Sequence, residues 1–165
     1  MKNLPHPDKR HLEAAEGWLG LGCFKEADEE LTHLAAEYRA HPYVLELRYK
    51  IYSESGKWEM AAETAQSLTE ALPKNQWGYF YKAYALHELK RTREAYDTLK
   101  AVIRKFPKHQ TMHFNLACYS CVLGDLKEAM QWLKKAINLP GEKNIREIAL
   151  KDRDLEPLWK EIGEM

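Results

Sequence analysis

Four alanines keep a fixed distance along this sequence. Ala27, Ala61, Ala95 and Ala129 stand 34 residues apart, and five residues before them come Gly22, Gly56, Lys90 and Gly124. A period in this range means stacked copies of one supersecondary unit, none of which buries its apolar face alone. Four copies tile residues 8–143, as 8–41, 42–75, 76–109 and 110–143, after a lead of residues 1–7 and before a tail of residues 144–165.

Within each copy the apolar spacing is helical. Tyr79, Ala83 and Leu86 lie at i, i+4 and i+7, and Ala95, Leu99 and Val102 repeat that spacing on the second helix. Proline and glycine stay at the seams. The spacing predicts helices from Asp8 as cap to Leu21, Phe24 to Tyr38, Pro42 to before Gly56, Trp58 to Leu72, Gln76 to Leu89, from the turn at 90–92 to Phe106, Gln110 to Leu123 and Leu126 to Leu139. The fold class is all-α. The alanines at the 34-residue period sit where paired helices cross closely, a place with no room for a long side chain. In the tail, Leu155, Leu158, Trp159 and Ile162 form one apolar stripe, predicting a helix capped by Asp154 that covers the last repeat.

Helix-turn-helix units of this length and punctuation resemble tetratricopeptide repeats over residues 8–143. The family's small positions are met by Ala15, Ala83 and Ala117, its aromatic at the end of the first helix by Trp18 and Tyr52, and its closing proline by Pro73 and Pro107. Departures are Tyr49 for a small residue, Leu86 and Ser120 for the aromatic, Lys90 for the turn glycine and Arg39 for the first closing proline. The resemblance implies a right-handed superhelix, with the first helix of each repeat on its concave face, and it implies binding of protein or peptide. The run from Asp152 to Leu158 resembles tails that close short arrays of this family.

Charge narrows the partners. Lysine plus arginine and aspartate plus glutamate each count 25, so the net charge is zero with neutral histidines, and no basic stripe appears at helical spacing. Nucleic acid and anionic membrane are therefore not the expected partners. No apolar run reaches the length of a signal peptide's core or a membrane span, so cytoplasm is the expected compartment. Three cysteines, Cys23, Cys118 and Cys121, suit a reducing compartment better than a disulfide framework.

The sequence carries no recognisable reaction motif, and no enzyme is expected. His87-Glu88 has no second histidine four residues after the first, and no phosphate-cradling glycine loop or nucleophile elbow occurs. Cys118 and Cys121 fall mid-helix, away from a helix N-terminus that would activate a thiol. As zinc ligands they need two more donors, and His87 alone has a comparable place on the neighbouring repeat. They read as small buried fillers, with no metal and no cofactor. His33 and His113 read as surface or packing residues.

The opposite side of the first helices is the informative one. At 100° per residue, Trp77, Phe80, Tyr84 and His87 point away from Tyr79, Ala83 and Leu86. The third repeat is thus aromatic on both faces; Phe114 and Cys118 continue this face in the fourth repeat, and Tyr43, Glu46 and Lys50 in the second. A helix apolar on both sides is buried by neighbours or binds something. These nine residues are the expected ligand-binding groove. Cochaperones of the resembled family hold a C-terminal carboxylate with lysine, asparagine and arginine, where this sequence has Leu12, Glu16, Leu47, Trp77 and Tyr81. A protein or peptide with apolar or aromatic anchors is the expected partner. The alternative is a self-associating structural protein, a homodimer through the same aromatic face.

Overall fold

The computed structural model describes residues 6–141 and 144–165. Residues 1–5 of the expected lead, and residues 142 and 143 at the expected junction with the tail, lie outside the described residues. Among the described residues every regular element is helical: α1 (His6–Gly20), α2 (Phe24–Thr32), α3 (Pro42–Glu54), α4 (Trp58–Ala71), α5 (Gln76–Glu88), α6 (Thr92–Val102), α7 (Gln110–Val122), α8 (Leu126–Asn138), α9 (Ile145–Ala149) and α10 (Trp159–Gly163). Short 3-10 segments occupy Ala36–Tyr38 and Arg153–Leu158. None of the described helices is long and apolar enough to cross a membrane.

The 34-residue punctuation acts through backbone geometry. Gly22, Gly56 and Gly124 adopt φ of 73°, 72° and 86°, the left-handed conformation that ends a helix without a Cβ penalty. Each closes the same pair of bonds: the next residue's N–H donates back to Trp18, Tyr52 or Ser120, and the glycine N–H to Leu19, Ser53 or Cys121. Lys90 takes the same conformation at φ 62°, so the turn survives the loss of glycine at a strain cost. Five residues after these turns, Ala27, Ala61, Ala95 and Ala129 are all 0% exposed.

The chain divides into two compact units, Met1–Leu89 and Lys90–Met165. In the first, α1 packs on α2, α2 and α4 pack on α3, and α5 packs on α4. Leu12, Leu31, Leu34, Val44, Ile51 and Ala65 form its core. The α4–α5 contact depends on Gly78: a Cβ there would lie 2.9 Å from the Thr69 backbone nitrogen and 3.2 Å from the Leu68 carbonyl carbon. In the second unit α7 packs against α6, α8 and the Arg153–Leu158 segment. Met112 to Cys121 are all buried.

Three expectations need correction. Asp8 is not a cap but lies inside α1, buried, its Oδ1 accepting the Ala35 N–H at 2.7 Å. The helix expected from Phe24 to Tyr38 stops at Thr32. Arg39 is the reason: its Nη2 donates to the Thr32 carbonyl at 2.8 Å and its Nε to Leu34 at 2.9 Å, so acceptors orphaned at the helix end find donors while Leu34 is buried. Arg39 thus ends the helix where a proline was expected. α6 ends at Val102 rather than Phe106, and turns carry the chain to Pro107, before which helical backbone is disfavoured.

The tail is also more broken than its stripe implied. α9 precedes the stripe, and Asp152 rather than Asp154 is the cap, its Oδ1 accepting the Asp154 N–H at 3.0 Å. Pro157 lies inside the 3-10 segment that this cap opens. Leu155, Leu158 and Ile162 are nevertheless buried, and the half-buried Trp159 donates its Nε1–H to the carbonyls of Ala149 and Asp152. Arg146 ties α9 to α10 through the carbonyls of Ile162 and Gly163.

Candidate functional site

α5 carries a run of rings held by each other and by α3 and α4. Tyr81 stacks on Tyr49 of α3 with centroids 4.2 Å apart and planes 18° apart. Trp77 stacks on Tyr81 at 5.9 Å and meets the Phe80 edge at 5.9 Å. Phe80 stacks on Tyr84 at 6.4 Å, and Tyr84 meets the edge of Trp58 from α4 at 5.8 Å. Offset and edge-to-face pairs at these distances add to area burial. They also explain Tyr49, which stands where a small residue was expected: the stacked partner takes up its bulk. The run is not sealed, because Trp77 and Tyr84 remain 41% and 39% exposed. His87, a turn further on α5, is half-buried.

A pocket of about 390 Å³ opens between α1 and α3. Tyr43, Glu46 and Lys50 line it, together with Glu16, Leu19 and Glu54. Tyr43 donates its hydroxyl hydrogen to the Glu16 carboxylate. That bond, with burial second, raises the Tyr43 hydroxyl to about 12. Burial raises Tyr49 and Tyr81 as well, Tyr81 being further raised by the Glu46 carboxylate. Glu46 is therefore felt by both the pocket and the aromatic run. Near neutral pH these phenols stay protonated, so they serve as hydrogen-bond donors and apolar walls rather than as bases. Three carboxylates against Lys50 leave the pocket acidic.

The second unit places its two expected groove residues differently. Phe114 and Cys118 are 7% and 4% exposed, and the Cys118 thiol faces Asp152 with its Sγ 3.8 Å from Oδ2. Neither offers an open wall, because α7 is enclosed by α6, α8 and the 3-10 segment. Sequence reasoning left out Tyr49, Trp58 and Tyr81 as ring partners and Leu19 and Glu54 as pocket walls, whereas Glu16 was placed on this face as the first repeat's counterpart. Glu54 was findable, since it continues the helical register of Tyr43, Glu46 or Leu47, and Lys50.

A family profile for the tetratricopeptide repeat matches residues 78–109. That segment carries a tetratricopeptide repeat, and the fold is that of tetratricopeptide-repeat proteins. Solved tetratricopeptide-repeat relatives agree with this fold. The MamA AMB-1 structure is 25% identical, with a TM-score of 0.68 over 87% of this chain and 78% of that one. MamA from Desulfovibrio magneticus RS-1, residues 41 to the end, matches at 16% identity with a TM-score of 0.76, covering 98% of this chain and 96% of its own. A thermophilic tetratricopeptide-repeat protein of Thermus thermophilus matches at 21% identity and a TM-score of 0.69, over 94% and 83% of the two chains. At the lower identities the likeness is one of fold. No curated protein matches the sequence.

Proposed function

We propose that this protein of tetratricopeptide-repeat fold is a non-enzymatic, cytoplasmic adaptor that binds a peptide or protein segment on the faces of α3 and α5. In this reading residues 8–41, 42–75, 76–109 and 110–143 are the repeats and 144–165 closes the array. The observation that carries it is the α1–α3 pocket, because Tyr43, Glu46 and Lys50 group by helical register alone and line one cavity with Glu16. Its walls are apolar at Leu19 and Leu47 and acidic at Glu16, Glu46 and Glu54, a setting for a side chain with an aliphatic stem and a cationic head. Trp77, Phe80 and Tyr84 supply aromatic anchoring, with His87 beside them. Phe114 and Cys118 have no part in this version, being buried.

Panning a displayed random-peptide library against the purified chain tests the reading. Selected peptides are expected to combine an aromatic or aliphatic residue with lysine or arginine, and Glu46→Lys is expected to abolish their capture with the melting temperature kept. Capture that survives Glu46→Lys and Tyr43→Ala alike would sink it. Self-association through the α5 rings is the competing outcome, and a mass that doubles with concentration and reverts in Trp77→Ala identifies it.

A further inference from the structure

Cys118 and Cys121 stand three residues apart on α7, a spacing that puts both thiols on one side of the helix, and both are buried. The start of the 3-10 segment brings two carboxylates to that side. One donor atom each from Cys118, Asp152 and Asp154 lie within 4.8 Å of one another. Asp152 divides its work: Oδ1 caps the segment by accepting the Asp154 N–H at 3.0 Å, while Oδ2 is the oxygen turned to the Cys118 sulfur at 3.8 Å.

One thiol and two carboxylates form a donor set that suits a borderline-soft divalent cation. Tetrahedral zinc holds sulfur at about 2.3 Å and carboxylate oxygen at about 2.1 Å, which sets a sulfur–oxygen edge of about 3.6 Å. The observed sulfur–oxygen separation of 3.8 Å is close to that edge. A thiolate in the set disfavours the hard cations calcium and magnesium, which take oxygen ligands. The oxygens come from chain more than thirty residues beyond the cysteines, as Cys118 and Asp152 are 34 positions apart. For that reason the cysteine pair alone looked two donors short.

The geometry points to a zinc site made by Cys118, Asp152 and Asp154, which staples the Arg153–Leu158 segment to α7. Binding one Zn²⁺ releases one proton from the Cys118 thiol to solvent and leaves the aspartates as they are, with no change of oxidation state. The cap bond on Asp152 Oδ1 fixes the orientation of Oδ2, as outer hydrogen bonds do for metal-binding carboxylates.

Cobalt(II) added to the chelator-treated full-length chain, followed by zinc displacement, tests this. The expected result is one metal per chain, a thiolate-to-cobalt charge-transfer band that zinc abolishes, and a melting temperature raised by zinc. Cys118→Ser is expected to diminish the band strongly, and Asp154→Asn to weaken zinc affinity tenfold or more. Asp154→Asn keeps both cysteines and carries the test even where Cys118→Ser does not fold. Absence of the charge-transfer band in folded wild-type chain, or zinc affinity unchanged in folded Asp154→Asn, overturns the site.

Discussion

α5 and α7 read alike, each thirteen residues long and apolar around its circumference. Their surroundings differ. α7 is covered within its own unit by α6, α8 and the 3-10 segment, and every residue from Met112 to Cys121 is buried. In α5 only Gly78, Ala83, Ala85 and Leu86 are buried, and its rings stack on one another and on α3 and α4 with two edges in water. The same kind of apolar helix is therefore core in one place and partly open in the other, depending on what the chain lays over it. Here the tail decides for α7.

Removing residues 152–165 has the largest expected effect, since it uncovers α7 along the side where Leu155 and Leu158 lie. Heating and light scattering should show a lower midpoint and aggregation. Unchanged melting would break the comparison at its base. Next comes Tyr119→Ala, which empties a fully buried site and takes away the hydroxyl to which Asn115 donates. Chemical denaturation should find a loss of about 3–5 kcal/mol. The same truncation at Trp77, whose ring is partly in water, should lose much less.

Overpacking ranks below truncation of the core. Ala95→Leu enlarges a side chain that has no exposed surface, Gly78→Ala puts a Cβ against the Thr69 backbone, and each should destabilise by about 1–3 kcal/mol. Asp97→Ala, exposed on the same helix, serves as the comparison for Ala95, because Lys100 bonds Glu128 and Tyr96. The smallest effect has the opposite sign. Lys90→Gly relieves a side chain held at φ 62° and should add about 1 kcal/mol, read as a shift in denaturation midpoint without a change in slope.

What the sequence discloses follows from what is local. The period, the left-handed turns at Gly22, Gly56 and Gly124 and the crossing alanines are backbone requirements repeated every 34 residues, so they are written in residue types. Arg39 and Asp8 are not. One ends a helix by reaching back to two carbonyls, the other caps an N–H 27 residues away, and neither partner is marked by spacing. Burial of Phe114 was equally unreadable, since hydropathy on α7 does not say which later segment returns to cover it. Tyr43, Glu46 and Lys50 could be grouped from register because one helix holds all three.

The contrast between the two helices is tested most directly by one paired measurement on Trp77→Ala and Phe114→Ala, namely the affinity of a peptide selected by wild type and the melting temperature of each variant. The α5 surface predicts that Trp77→Ala weakens binding about tenfold or more, equivalent to about 1.4 kcal/mol or more, while the array stays folded. Phe114→Ala, in the covered helix, should lower the melting temperature and leave the folded protein's affinity within about twofold, a change worth well under 1 kcal/mol. Binding that survives Trp77→Ala, or that is lost only together with the fold, would contradict the assignment of α5 as the recognition surface.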